Sequence, residues 1–311
     1  MDKIAVLIPC YNEKVTIEKV VKDFKNYLSE AKIYVYDNNS NDGSDKIAES
    51  NGAIVRYERK QGKGNVVRTM FREVDAECYV IVDADDTYSL SKVKDMCDYI
   101  LNDGYDMVIG DRLSSQYFTE NKRPFHNVGN TFVRFIINKF FNTNIQDIMT
   151  GFRCMSYNFV KTFPVLSKGF EIETEMTIHA VYRNMNIKNV VIDYKDRPEE
   201  SPSKLNTVYD GLKVIFTFFK LYKNYKPLQF FSIISIILVV LSTIFFVPVL
   251  TEFKNTGLVP KFPTLIMCGF IYLTAIISYF SGLILSSIVD KDKRDFENNL
   301  NIINCMRLSL Y

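Results

Sequence analysis

The sequence predicts an α/β fold, a mainly parallel sheet with helices on both faces, followed by a C-terminal two-helix transmembrane hairpin. Three observations carry this. Short, nearly continuous apolar runs alternate with helical stretches from residue 1 to about 206. Two long stretches near the C-terminus carry no charged residue. Carboxylates and amides crowd the ends of the apolar runs, where ligands of such sheets bind.

The strand candidates are 4–9 (IAVLIP), 33–37 (IYVYD), 53–57 (AIVRY), 79–83 (YVIVD) and 107–110 (MVIG). Their unbroken apolar character suits strands buried on both faces. Helical stretches at 17–31, 44–50, 63–74 and 91–101 lie between them, as parallel strands require. Residues 205–226 place Val208, Leu212, Ile215, Phe219 and Tyr222 at helical spacing among lysines. Such a stripe suits either an amphipathic helix at a membrane surface or a core helix.

The uncharged stretches are 228–250 and 263–289. A helix needs about 20 apolar residues to cross roughly 30 Å of hydrocarbon, and both suffice. Neither is N-terminal, and the chain opens MDKIAVLIP, so no signal peptide is expected. Lys220, Lys223 and Lys226 precede the first stretch, and Lys291, Lys293 and Arg294 follow the second. The connector carries Lys254 and Lys261 against Glu252. The balance of basic flanks puts both termini in the cytosol and the connector outside. The expected divisions are a head at 1–204, a juxtamembrane helix at 205–226, spans at 227–250 and 263–289, a connector at 251–262 and a cytosolic tail at 290–311.

Composition removes several function classes. With 38 Lys+Arg against 36 Asp+Glu among 311 residues, the net charge is only +2, too small for a broad nucleic-acid surface. Cys10, Cys78, Cys97, Cys154, Cys268 and Cys305 lie far apart with no CxxC pair, and read as scattered thiols of a reducing compartment. The two histidines, His126 and His179, make no Ser-His-Asp order.

The chemistry lies at the strand ends: PCYNE at 9–13, DNNSNDG at 37–43, DADDT at 83–87 and GDR at 110–112. Taken singly, 38–43 reads as an ordinary turn. Asp83, Asp85 and Asp86 do not, because three carboxylates in four residues repel unless something positive sits among them. A hard divalent cation with oxygen ligands, also holding substrate phosphates, is the natural neutraliser. Residues 61–65 (QGKGN) open a helix but lack P-loop spacing, and no GxGxxG follows the first strand.

As a set these motifs resemble family 2 glycosyltransferases of the GT-A fold, in the branch of dolichyl-phosphate mannose synthases and bacterial membrane-anchored polyprenyl-phosphate glycosyltransferases. The carrying segments are IPCYNE at 8–13, the Asp37 strand end, GKGN at 62–65, DADDT at 83–87, GDR at 110–112, RPFHNVGN at 123–130, DIMTGFR at 147–153 and RPEESPSKL at 197–205. The resemblance implies that Pro9, Tyr11, Asn12, Glu13, Asp37 and Lys63 line the nucleotide-sugar pocket. It implies that Asp83 and Asp85 hold Mg²⁺ or Mn²⁺, with Thr87 where related mannose synthases carry glutamine, leaving a third ligand position open to water. Arg112, Arg123, Arg153, Arg197, Ser203 and Lys204 match groups gripping the acceptor phosphate or donor diphosphate. Asp85, Arg123 and Asp147 are the residues expected to act in the chemistry, Asp147 by positioning groups.

Glu171, Glu173 and Glu175 alternate with apolar residues. The alternation suits a solvated face, or one carboxylate, Glu173, reaching sugar hydroxyls.

The implied reaction moves one hexose-type sugar, with inversion, from a nucleotide diphosphate sugar, by similarity a UDP-sugar, to polyprenyl (undecaprenyl) phosphate at the cytosolic leaflet. A phosphate acceptor is already an anion, so no strong base is needed. A polysaccharide synthase would carry a QxxRW motif, which a chain without tryptophan cannot hold. A transferase using a glycan or protein hydroxyl, with Asp147 as base, and a non-catalytic nucleotide-sugar-binding scaffold are the alternatives. Assembly of copies through the spans is the further partnership expected.

Overall fold

The computed structural model describes residues 1–114, 134–135, 138–140, 143–195, 197, 216, 219–220 and 222–308. Its described elements run β1 (Asp2–Cys10), α1 (Ile17–Tyr27), β2 (Lys32–Asp37), α2 (Ser44–Ser50), β3 (Ile54–Tyr57), α3 (Lys63–Glu73), β4 (Ala76–Ile81), α4 (Val93–Leu101), β5 (Met107–Asp111), β6 (Arg153–Ser156), α5 (Tyr157–Thr162), α6 (Ile172–Tyr182), β7 (Ile187–Val191), α7 (Pro227–Thr256) and α8 (Phe262–Leu308).

Among the described residues, seven strands form one sheet in the order β3-β2-β1-β4-β6-β5-β7. All pairings are parallel except those of β6, which runs antiparallel to both β4 and β5. The central strands are apolar and buried along their length: Ala5, Val6, Leu7 and Ile8 are fully enclosed, as are Val35, Tyr36, Tyr79 and Val80. Helix α1 buries Ile17, Val20, Val21 and Phe24, one face at 3.6-residue spacing. It ends at Tyr27, four residues before its expected limit, because Leu28 leaves the helix to bury its own side chain.

Two expectations need correction. The cysteines are not all scattered. Cys78 on β4, Cys97 on α4 and Cys154 on β6 converge, with sulfurs within 4.8 Å of one another. Residue 154 is diagonal to 78 across the β4–β6 pairing, a proximity that linear spacing cannot reveal. No fourth His, Cys, Asp or Glu ligand joins them among the described residues, and they pack in the apolar core as small hydrophobes. The glutamates of 171–175 do not form a solvated face: α6 buries Glu173 and Glu175 almost completely. Glu175 accepts from the backbone N–H groups of Leu166 and Ser167, which accounts for its burial.

The chain separates into two compact units, Met1–Phe218 with Asn299–Tyr311, and Phe219–Asn298. In the second, α7 and α8 are both long and apolar enough to cross a membrane. Their apolar side chains are largely exposed, among them Ile236, Ile244, Phe270 and Ile284, unlike core helices of a soluble domain. Ser235 and Ser242 on α7 donate to the carbonyls of Ala275 and Cys268 on α8, at 2.8 and 3.0 Å. Gly282 lets the helices approach, since a Cβ there would lie 2.9 Å from that of Phe231. Helix α8 continues unbroken through the tail expected to be separate. The juxtamembrane segment 205–226 falls mostly outside the described residues.

Candidate active site

Three loops meet beyond the carboxyl ends of β1, β2 and β4. Asn12, in the left-handed region at φ 53°, donates its N–H to Ser40 Oγ (2.9 Å) and accepts from Asn41 N–H (2.8 Å). Its β1 loop is thereby fastened to the β2 loop. Asn38 fastens the β2 loop to the glycine-rich turn: its amide donates to the carbonyls of Glu58 and Lys60 and accepts from Gly62 N–H at 2.8 Å. The segment read as an ordinary turn is the joint between two parts of the site.

Asp37 stands at the end of β2, 4% exposed. Its Oδ2 accepts from Ser40 N–H at 3.0 Å, while its Oδ1 is buried without a hydrogen-bond partner. A buried acceptor left open costs about 1–3 kcal/mol, so this atom is suited to a ligand donor. Pro9 and Tyr11 lie beside it on the β1 end, Tyr11 exposed.

The positive charge that repulsion among these carboxylates calls for is supplied in part by the chain itself. Each carboxylate has a protein cation. Asp83 pairs with Lys63, Asp85 with Arg197 at 2.6 Å, and Asp86, turned away at φ 57°, with Lys19 and Lys195, both at 2.8 Å. Lys63 also lies 2.6 Å from Glu173, and Arg197 lies 3.3 Å from Glu13. Thr87 turns back on Asp85, its hydroxyl 2.7 Å from Oδ1.

The electrostatics follow from this arrangement. Burial works against a charged Lys63, yet Asp83 and Glu173 hold its pKa well above the ordinary lysine value. Burial likewise opposes a charged Asp83, but Lys63 and the arginines keep that carboxyl below its ordinary value. Asp85 moves the other way, raised by burial and by Asp83's charge despite Arg197. Glu173 is raised by burial, with Asp83 adding to it and Lys63 opposing.

Among the described residues, the linked group Asp83, Glu173, Asp85 and Glu13 carries four carboxylates against Lys63 and Arg197. The Asp83–Asp85 pair, hard oxygen donors two residues apart with burial and then mutual repulsion raising one of them, fits a hard divalent cation. Gly151 keeps the roof over Asp83 open, since a Cβ there would run into Asp83 Oδ2 and lie 2.8 Å from Cγ. Tyr88, whose hydroxyl accepts from Gly151 N–H at 2.9 Å, fixes that strand approach.

Arg112 and Asp147 form a second charged pair, Nε to Oδ2 at 2.7 Å and Nη2 to Oδ1 at 3.2 Å. Asp147 is 1% exposed, and the guanidinium lies over the rings of Tyr88 and Tyr194. Arg153 is not brought to the site surface, which corrects its expected phosphate contact. It is fully enclosed, donating to the carbonyls of Thr150 and Ile148 and to Thr177 Oγ1, and burial pushes its pKa down to about 10. His179 is a core residue against Phe159 and Phe163. Arg123, His126, Ser203 and Lys204 lie outside the described residues. Glu173 as partner of Lys63 was hidden because the two lie on different elements; α3 is held to the segment before α6 by bonds such as Gly64 N–H to the Lys168 carbonyl at 3.1 Å and Arg68 Nε to the Val165 carbonyl at 3.0 Å.

The chain is similar to known proteins. Residues 5–163 match the family described as glycosyl transferase family 2. Glycosyltransferase AglJ of Haloferax volcanii is 32% identical over 211 residues, 68% of this chain and 69% of that protein. A dolichyl-phosphate hexose transferase of the same organism is 28% identical over 200 residues, 64% of this chain and 86% of that one. Among solved structures, glucosyl-3-phosphoglycerate synthase from Mycobacterium tuberculosis, in complex with Mn²⁺, uridine diphosphate and phosphoglyceric acid, superposes with a TM-score of 0.57 at 17% identity, covering 71% of this chain and 78% of that one. That likeness establishes the GT-A fold of the head, and the chain belongs to glycosyl transferase family 2.

Proposed function

We propose that the protein transfers a single hexose-type sugar, with inversion, from a UDP-sugar to polyprenyl (undecaprenyl) phosphate at the cytosolic face of a membrane. The observation that carries this is the acidic pair Asp83–Asp85 at the sheet's ligand edge, flanked by Lys63 and Arg197, in a chain with two membrane-length helices. The dolichyl-phosphate hexose transferase relative supports the lipid phosphate. The uridine diphosphate and Mn²⁺ of the structural neighbour support the donor.

The acceptor phosphate oxygen attacks the anomeric carbon, forming one C–O bond as the bond to the diphosphate breaks. The electron pair leaves with the diphosphate, so an α-linked donor yields a β-linked sugar phosphate. Asp83 and Asp85 would hold Mg²⁺ or Mn²⁺, which when bound supplies electrostatic stabilisation of the departing diphosphate. Arg197 and Lys63 add positive charge on the same side. Asp37 Oδ1 would accept from a base N–H. Arg112, Arg123, Ser203 and Lys204 would grip the phosphates. Asp147 is engaged on both oxygens by Arg112, which favours a positioning role and a phosphate acceptor over a hydroxyl acceptor needing a base.

With both termini cytosolic, α7 and α8 would anchor the head where the lipid phosphate is presented. Copies would assemble through the same helices. Incubating membranes with polyprenyl phosphate and individually labelled UDP-glucose, UDP-N-acetylglucosamine, UDP-galactose and GDP-mannose, with and without EDTA, tests donor and cation together. Product with one UDP-sugar, lost on chelation, is expected. Product with GDP-mannose alone, or product indifferent to EDTA, contradicts the donor or the cation assignment.

A further inference from the structure

Lys63 occupies a place that local energetics disfavour. It is the first residue of α3, where the helix dipole repels a cation, and no acidic residue in that turn offsets it. Its side chain is nonetheless 9% exposed, with the ammonium on Asp83 and 2.6 Å from Glu173. The backbone beside it packs closely against the segment before α6. Gly64 N–H is bonded to the Lys168 carbonyl, and a Cβ at Gly64 would lie 2.7 Å from the Ser167 carbonyl carbon. The adjustable part is the four-carbon side chain, whose head can reorient among acceptors. Of its two carboxylates, Glu173 is 5% exposed and belongs to α6, whereas Asp83 is 26% exposed in the loop after β4.

We infer that Lys63 is a tethered counter-ion of Asp83 that yields this carboxylate when a divalent cation is bound, while Glu173 retains the ammonium. Glu173 is then a positioning residue: it keeps Lys63 within reach of the site and ready to turn toward the donor diphosphate. The inference rests on Asp83 being a cation ligand. It adds that the empty and loaded states are both charge-compensated, one by lysine and the other by the cation. A shared pair of buried carboxylates around one ammonium suits such an exchange, because neither state leaves a buried charge without a partner.

The test is Mn²⁺ titration of the full chain in detergent without nucleotide, read from the resonance signal of free Mn²⁺. Wild type is compared with K63Q, K63R, E173Q and D83N, each checked for an intact fold by circular dichroism. K63Q, lacking the competitor, is expected to bind Mn²⁺ about tenfold tighter than wild type. Its kcat nonetheless falls, a separation that a purely structural lysine does not produce. K63R restores near-wild-type Mn²⁺ affinity. E173Q leaves Lys63 wholly to Asp83 and weakens Mn²⁺ by about tenfold, so it carries the test should K63Q not fold. Mn²⁺ affinity unchanged or weaker in K63Q, or unchanged in E173Q, overturns the inference while leaving the cation site intact if D83N abolishes binding. Unchanged binding in D83N removes Asp83 as a ligand, and the exchange with it.

Discussion

Arg197 Nη2 lies 2.6 Å from Asp85 Oδ2, an ion pair between residues 112 positions apart. It brings the segment after β7 onto the loop after β4, and the same guanidinium reaches Glu13 in the β1 loop. One arginine thus ties three strand-end segments around the acidic pair.

Arg197 lowers an Asp85 pKa that burial and Asp83 raise. Cation binding needs the charged carboxylate, so affinity is lost as pH falls through the raised Asp85 value. R197A removes the lowering influence, and the acid limb of Mn²⁺–UDP binding should move to higher pH, with R197K staying near wild type. Isothermal titration across pH 4 to 7, roughly the range above the ordinary aspartate pKa, checks this. Coincident acid limbs for R197A and wild type would contradict it.

Gly151 is where the roof of the site meets Asp83. G151A drives a methyl group into that carboxylate, and overpacking of this kind costs about 1–3 kcal/mol. Transfer activity should drop at least about tenfold while the far-UV spectrum is retained. Near-normal activity in G151A would mean that Asp83 can move without consequence.

Asp37 tests the base contact. In D37N the amide can keep Ser40 N–H satisfied with its oxygen and present N–H₂ where Oδ1 now lies open. UDP affinity should fall about tenfold with little change in melting temperature. Unaltered UDP binding in a folded D37N protein would remove this residue from the nucleotide site.

His179 gives a stability signature independent of catalysis. Burial, with Arg183 adding to it, depresses its pKa from 6.5 to about 3. The unfolded chain therefore binds a proton that the folded chain refuses. Stability falls as pH drops below about 6.5, by up to about 1.4 kcal/mol per pH unit, until the folded value is reached. H179F, which keeps a ring against Phe159 and Phe163, should flatten this slope between pH 6.5 and 5 in thermal melts followed by circular dichroism. An unchanged slope would assign the acid sensitivity elsewhere.

Much of the head was legible because parallel strands buried on both faces are written as continuous apolar runs, and four of the five expected strands appear with similar limits around β1, β2, β3 and β5. The strand expected at 79–83 begins earlier and stops at Ile81, leaving Asp83 free beyond it. Strand β6 escaped notice because it is four residues long and opens with an arginine, a residue rarely enclosed unless, as here, its donors are all used. Helix α6 escaped because its alternating glutamates mimic a strand, and only tertiary partners such as Lys63 make their burial affordable in free energy. The convergence of Cys78, Cys97 and Cys154 was invisible for the same reason: it is set by sheet register, not by spacing.

The most direct measurement compares wild type and D85A in proteoliposomes containing polyprenyl phosphate and the labelled UDP-sugar that the wild type uses, counting sugar in the lipid phase. Lipid-linked sugar formed by wild type and reduced at least about a hundredfold in a folded D85A protein is the predicted result. Equal labelling of the lipid by both proteins would contradict the assignment of the Asp83–Asp85 loop as the seat of transfer.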